Sequence, residues 1–149
     1  MTEILIDTNV LVYAHDRSEP IKQKRAIETL KSLQIVGSGY LSAQCLSEFF
    51  SAVTRGQIPR LTVSEATRQI DRLARIWTVL DITSQIVLEA ARGVSEHQLC
   101  FWDAQIWAAA RLNQIPVVFS EDFATGAVTE GVRFVNPFSD DFDPLVWGL

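Results

Sequence analysis

The apolar run Ile4-Leu5-Ile6 is followed at once by Asp7 and then by Thr8-Asn9-Val10-Leu11. So short an apolar run reads as a buried strand, and a carboxylate at its end sits where open α/β sheets bind ligands. Further apolar runs occur at Tyr40-Leu41, Ile76 to Leu80, Val117 to Phe119 and Val132 to Val135, with helical patterns between most of them. Alternation of this kind predicts an α/β fold with a mainly parallel sheet. At 149 residues and 48% hydrophobic content, one domain spanning 1–149 is expected, with no repeat or linker.

The helix signals are local and physical. Thr62-Val63-Ser64-Glu65 is a capping box ahead of Ala66, Ile70 and Leu73, and Ser42 can cap a helix whose apolar stripe is Cys45, Leu46, Phe49, Phe50 and Val53. Glu48 lies beside that stripe. Further helices are expected near Pro20 to Leu33, Ser84 to Ser95 and Asp103 to Asn113, the last ending before Pro116.

Asp7 gains meaning from three other acids at comparable positions: Glu48, Asp103 in Trp102-Asp103-Ala104, and Asp122 in Ser120-Glu121-Asp122-Phe123. Two carboxylates about 4 Å apart repel by roughly 4 kcal/mol at an effective dielectric near 20, so four in one pocket require protons or a metal. Oxygen ligands select a hard ion, and Mg²⁺ or Mn²⁺ suits them better than Zn²⁺. The plainer readings are a turn or N-cap role for Asp7, a solvent-facing place for Glu48 and an N-terminal cap for Asp103. Capping and metal binding are compatible. Adjacent residues point apart, so only one of Glu121 and Asp122 can belong to such a site.

The net charge of −5 and a pI near 5.0 exclude a nucleic-acid coat protein that binds through many phosphate contacts, but not an enzyme acting on nucleic acid. No apolar run of membrane-spanning length and no leader pattern is present, so a cytoplasmic protein without membrane contact is expected. Cys45 and Cys100 read as buried reduced thiols, and His15 and His97 as surface or half-buried side chains rather than general bases. The stripe Arg68, Arg72, Arg75 reads as a solvated helix face, and most of the tryptophans as core, with Trp102 beside Asp103 the exception of interest.

In order along the chain, Asp7-Thr8-Asn9, Glu48-Phe49, Trp102-Asp103-Ala104 and Ser120-Glu121-Asp122-Phe123 resemble a PIN-domain ribonuclease of the VapC toxin type. The resemblance covers nearly the whole length. It implies a PIN-like α/β/α sandwich and a divalent-metal site for hydrolysing single-stranded or loop RNA. It also implies a homodimer, and inhibition by a small cognate antitoxin that places a basic side chain in the acidic pocket. Carried over by position, Asp7, Glu48, Asp103 and Asp122 match the acidic quartet, with Asp7 and Asp103 as first choices for metal ligands; Asn9 and Ser120 match supporting polar residues. Cys100 stands near where many relatives carry Ser or Thr before the third acid. Rival functions are an aspartyl-nucleophile phosphatase, disfavoured because Asn9 occupies the place of its second acid, and a catalytically silent binding module. Phe49, Phe50, Trp77 and Trp147 further suggest an apolar surplus suited to a partner groove.

Overall fold

The computed structural model describes all 149 residues. Six strands form one sheet in the order β3-β2-β1-β4-β6-β5: β1 is Ile4–Ile6, β2 Gly39–Ser42, β3 Thr78–Leu80, β4 Val117–Phe119, β5 Val128–Thr129 and β6 Val132–Val135. Every pairing is parallel except β5 with β6. Ile4 stands in register with Gly39 on one side and Val117 on the other, so β1 is central. All three of its residues are fully buried, as are Val118 and Phe119 of β4, which explains why these strands read as continuous apolar runs.

Helices flank this sheet: α1 (Thr8–Tyr13), α2 (Pro20–Val36), α3 (Ala43–Thr54), α4 (Val63–Ile76), α5 (Ser84–His97) and α6 (Phe101–Leu112). The expected α/β/α architecture with a mainly parallel sheet is therefore present. Helix α3 is capped by Ser42 and turns Cys45, Phe49 and Val53 into the core at four-residue intervals. The Thr62–Glu65 capping box opens α4: the Thr62 N–H donates to Glu65 Oε1 and the Glu65 N–H to Thr62 Oγ1, both at 3.1 Å. Residues 104–110 of α6 are all buried, which is why this segment carries so little polar surface. None of the helices is long and apolar enough to cross a membrane.

Several expectations need correcting. Ile76 ends α4 and the strand starts only at Thr78, because the helical pattern of α4 runs through to its last turn. Strand β5, too short to show periodicity, forms a hairpin with β6 through Glu130 and Gly131, both at positive φ. Helix α6 begins at Phe101 rather than Asp103, with Cys100 at its N-cap. Cys45 is buried as expected, but Cys100 is exposed. The four aromatics read as surplus all pack on the core: Phe49 is fully buried, and Phe50, Trp77 and Trp147 are partly so.

The contact of α5 with α6 is close because Gly93 faces the buried Trp107 ring; a Cβ there would stand 2.8 Å from Trp107 Cζ3. Trp107 has little freedom to retreat, since its indole N–H donates to Thr129 O at 3.1 Å and its ring packs against His97 and Arg92. Gly93→Ala is therefore expected to destabilise the protein despite a gain in helix propensity. Overpacking by about 1–3 kcal/mol, less about 1 kcal/mol of propensity, leaves a net loss of up to about 2 kcal/mol, readable in urea denaturation.

Candidate active site

The chain runs from β1 outward through β2 and β3, then returns to place β4 on the other side of β1. That reversal opens a crevice at the carboxyl ends of β1 and β4, the place where such sheets bind ligands. Asp7 leaves β1 there, its backbone N–H donating to Phe119 O at 2.9 Å, and Ser120 to Asp122 leave β4 beside it. The first turn of α6 supplies Asp103 and α3 supplies Glu48.

Oxygens of Asp7, Asp103 and Asp122 all lie within 4.8 Å of one another. Asp7 is buried, Asp103 half-buried and Asp122 exposed at the mouth. Glu48 stands outside this triplet, held by two donors: Thr8 Oγ1 to its Oε2 at 2.9 Å and Gln44 Nε2 to its Oε1 at 2.6 Å. The sequence-derived quartet is thus three clustered acids and a fourth clamped beside them.

Asn9 and Ser120 form the expected polar support. Ser120 Oγ donates to Asp7 Oδ2 at 2.7 Å and accepts from the backbone N–H of Asp122 and from Asn9 Nδ2. Asn9 Nδ2 also reaches Asp122 Oδ2 at 3.2 Å, and its Oδ1 is buried without a partner. This orphan follows from the acids: turning the amide over would aim Oδ1 at carboxylate oxygens, so the donor must face them. Glu121 points away, accepting from Tyr13 Oη at 2.7 Å and pairing with Lys22 at 3.0 Å, so Asp122 alone of that pair joins the cluster.

Thr8, Gln44 and Gln105 were not singled out in the sequence. Gln105 Nε2 donates to Gln44 Oε1 at 2.8 Å, and Gln44 Nε2 donates to both Glu48 and the Trp102 carbonyl, tying α3 to the start of α6. Both glutamines are buried. Two signals were present: Gln44 is four residues before Glu48 on one helix face, and Gln105 is the single polar residue of a buried stretch.

None of the four acids pairs with a lysine or arginine. The contrast is a second acidic group, Glu96 and Glu130 with His97, whose charge Arg92 and Arg111 neutralise. Hard oxygen ligands, close spacing and uncompensated charge fit a divalent cation such as Mg²⁺ or Mn²⁺ at Asp7, Asp103 and Asp122. Burial raises the Asp7 carboxyl from 3.8 to about 7, the charges of Asp122 and Glu48 add to this, and the bonds from Ser120 and Thr8 oppose it. Although the residue is exposed, partial burial of its carboxyl raises Asp122 as well, with Asn9 opposing and Asp103, Glu121 and Glu48 as like-charged neighbours. Beneath Asp7, burial pushes the Cys45 thiol up to about 12, and it donates to Ile6 O as a neutral group.

A folded-state pKa above the unfolded one means that the folded protein holds the proton more tightly. Without metal, the Asp7 contribution to stability is then full below about pH 4 and is lost as pH rises to about 7. The Asp7 contribution corresponds to a loss of at most about 4 kcal/mol. At pH 5 the unfolded carboxyl is already ionised, so urea denaturation in EDTA at pH 5 and pH 8 is expected to show about 3 kcal/mol of this loss in the wild type and less in Asp7→Asn, which should be the more stable of the two at pH 8.

The PIN domain family model matches residues 4–128. No curated protein matches the sequence. Among solved structures, a toxin–antitoxin complex from Klebsiella pneumoniae is similar at 18% identity and TM-score 0.66, over 91% of this chain and 98% of that one. VapC20 from Mycobacterium tuberculosis, a sarcin-ricin loop cleaving toxin, is similar at 20% identity and TM-score 0.60, over 88% and 99%. The VapBC2 complex from Rickettsia felis, bound to a DNA fragment from its promoter, aligns at 12% identity and TM-score 0.65, over 89% and 97%. The family model covers most of the chain, and the fold of these toxins is the fold described above: the chain belongs to the PIN-domain family.

Proposed function

We propose that residues 1–149 form one divalent-metal-dependent endoribonuclease unit, the toxin of a toxin–antitoxin pair, acting in the cytoplasm as a homodimer. The observation that carries this reading is the triplet of Asp7, Asp103 and Asp122 oxygens within 4.8 Å of one another with no cationic side chain among them. Asp7 and Asp103 would hold Mg²⁺ or Mn²⁺, with Asp122 completing or extending the set. Such an ion, when bound, places positive charge at the scissile phosphate and makes a water acidic enough to attack near neutral pH.

The chain's own groups do the rest. Thr8 and Gln44 fix the Glu48 carboxylate so that a free lone pair on each oxygen can orient the attacking water and take its proton. Asn9 and Ser120 keep Asp7 and Asp122 together against their repulsion. The P–O bond to the 3′-oxygen breaks, leaving a 5′-phosphate and a 3′-hydroxyl. The phosphatase alternative is disfavoured because Asn9 occupies the place of its second acid, and Asn9 donates to Asp7 and Asp122 rather than acting as an acid.

A pocket that attracts cations also accepts a guanidinium, which pairs bidentately with carboxylates and stays charged. A small antitoxin would use one arginine in this way, and the solved VapBC complexes among the structural neighbours support such a partner.

Asp7→Asn is expected to keep the fold and lower RNA cleavage by at least about 100-fold. EDTA should abolish wild-type cleavage and Mn²⁺ restore it. Expression of the wild-type chain should arrest a bacterial host, the Asp7→Asn variant should not, and co-expression of a small protein encoded beside it should relieve the arrest. Wild-type cleavage rates from Asp7→Asn, or growth unaffected by either chain, would remove the toxin reading.

A further inference from the structure

Trp102 is the single aromatic among the large exposed hydrophobic side chains, 61% exposed, while Trp107 is fully buried and Trp77 and Trp147 pack on the core. It immediately precedes Asp103 in the first turn of α6. Its placement is defined on two sides: Gln44 Nε2, which also holds Glu48, donates to its carbonyl at 3.0 Å, and the Phe101 ring meets its ring edge-on at 5.2 Å between centroids. Trp102 lines a cavity of about 1080 Å³ together with Glu48, Gln44, Arg55 and Arg60. That volume is at or above the roughly 300–1,000 Å³ typical of small-molecule sites and suits a stretch of polymer.

Resting on the ribonuclease reading and its single-stranded or loop RNA, we propose that Trp102 is a stacking platform for an unpaired nucleobase adjoining the scissile phosphate. A chain of net charge −5 with unpaired acids at its centre repels an RNA backbone. Arg60 in the same cavity is already engaged by Asp16 at 3.0 Å, which leaves Arg55 as its one arginine free of an acidic partner. Stacking supplies affinity that does not depend on phosphate charge, and aromatic side chains commonly bind splayed-out RNA bases in this way. A base inside a duplex presents no free face, so the platform favours loops and single strands. It accepts any base, because each has a π-face.

The test is steady-state cleavage of a single-stranded RNA in Mn²⁺ by the wild type, W102F and W102A, with the same RNA carrying one abasic ribose scanned along its length. W102A is expected to raise KM roughly 5- to 150-fold with kcat within about 3-fold, and W102F to lie between. At one abasic position the wild type should lose the same factor, and W102A should lose nothing more. Unchanged KM in W102A, or an unchanged effect of W102A at every abasic position, overturns the inference while leaving the nuclease intact. A change confined to the sedimentation of W102A would also overturn it, making the indole a contact between copies of the chain. No cleavage by the wild type would overturn the nuclease reading itself, and this inference with it.

Discussion

Mutual repulsion among Asp7, Asp103 and Asp122, one of them buried with no cation in reach, is the constraint to which the rest of the site conforms. A buried carboxylate without a counter-charge protonates, and the Asp7 carboxyl moves up to about 7 for this reason. Every side chain that touches it donates: Ser120 through its hydroxyl and Asn9 through its amide, with the Thr8 backbone N–H as the third. Even the unsatisfied Asn9 Oδ1 is a consequence, since the amide has only one orientation that does not set oxygen against oxygen.

This repulsion is tolerable because the sheet that creates it is rigid. β1 is buried and paired on both sides, and the backbone bond from Asp7 to Phe119 continues the ladder one residue past the strands. The acids therefore leave two adjacent strands at fixed separation. Asp103 and Glu48 arrive on helices, and the Gln44–Gln105 amide pair joins those helices beside the acids. Buried polar pairs of this kind are worth most when every partner is satisfied, and here Gln44 Nε2 serves two acceptors at once.

Most strands and the helices were legible in the sequence because each depends on local chemistry, apolar runs for β1 and β4 and a capping box for α4. Asp7 stood out as a carboxylate at a strand end, whereas the choice of Asp122 over Glu121 came from the motif order of the resemblance. Strand β5 was hidden because two residues carry no period, and it exists only through β6 and the Glu130–Gly131 turn. That Glu48 stands apart from the other three acids was also hidden, since its position depends on Thr8, forty residues away in sequence and brought near only by the fold. The supposed aromatic surplus failed for a related reason. Partly buried rings such as Phe50 and Trp77 cover the core edge, and composition alone does not distinguish covering from protruding.

The distribution of cations, more than the net charge of −5, separates the central acids from their neighbours. Asp16 has Arg60, Glu121 has Lys22, and Glu89, Glu96 and Glu130 share Arg92 or Arg111. Rim and surface acids with their own cations cast weak fields beyond a Debye length of about 8 Å. Other surface acids also lack a cation, but Asp7, Glu48, Asp103 and Asp122 are the unpaired ones that face one crevice together, where low-dielectric walls formed by β1, β4 and α6 concentrate their potential. A cation entering there meets a field that the rest of the acidic surface does not share.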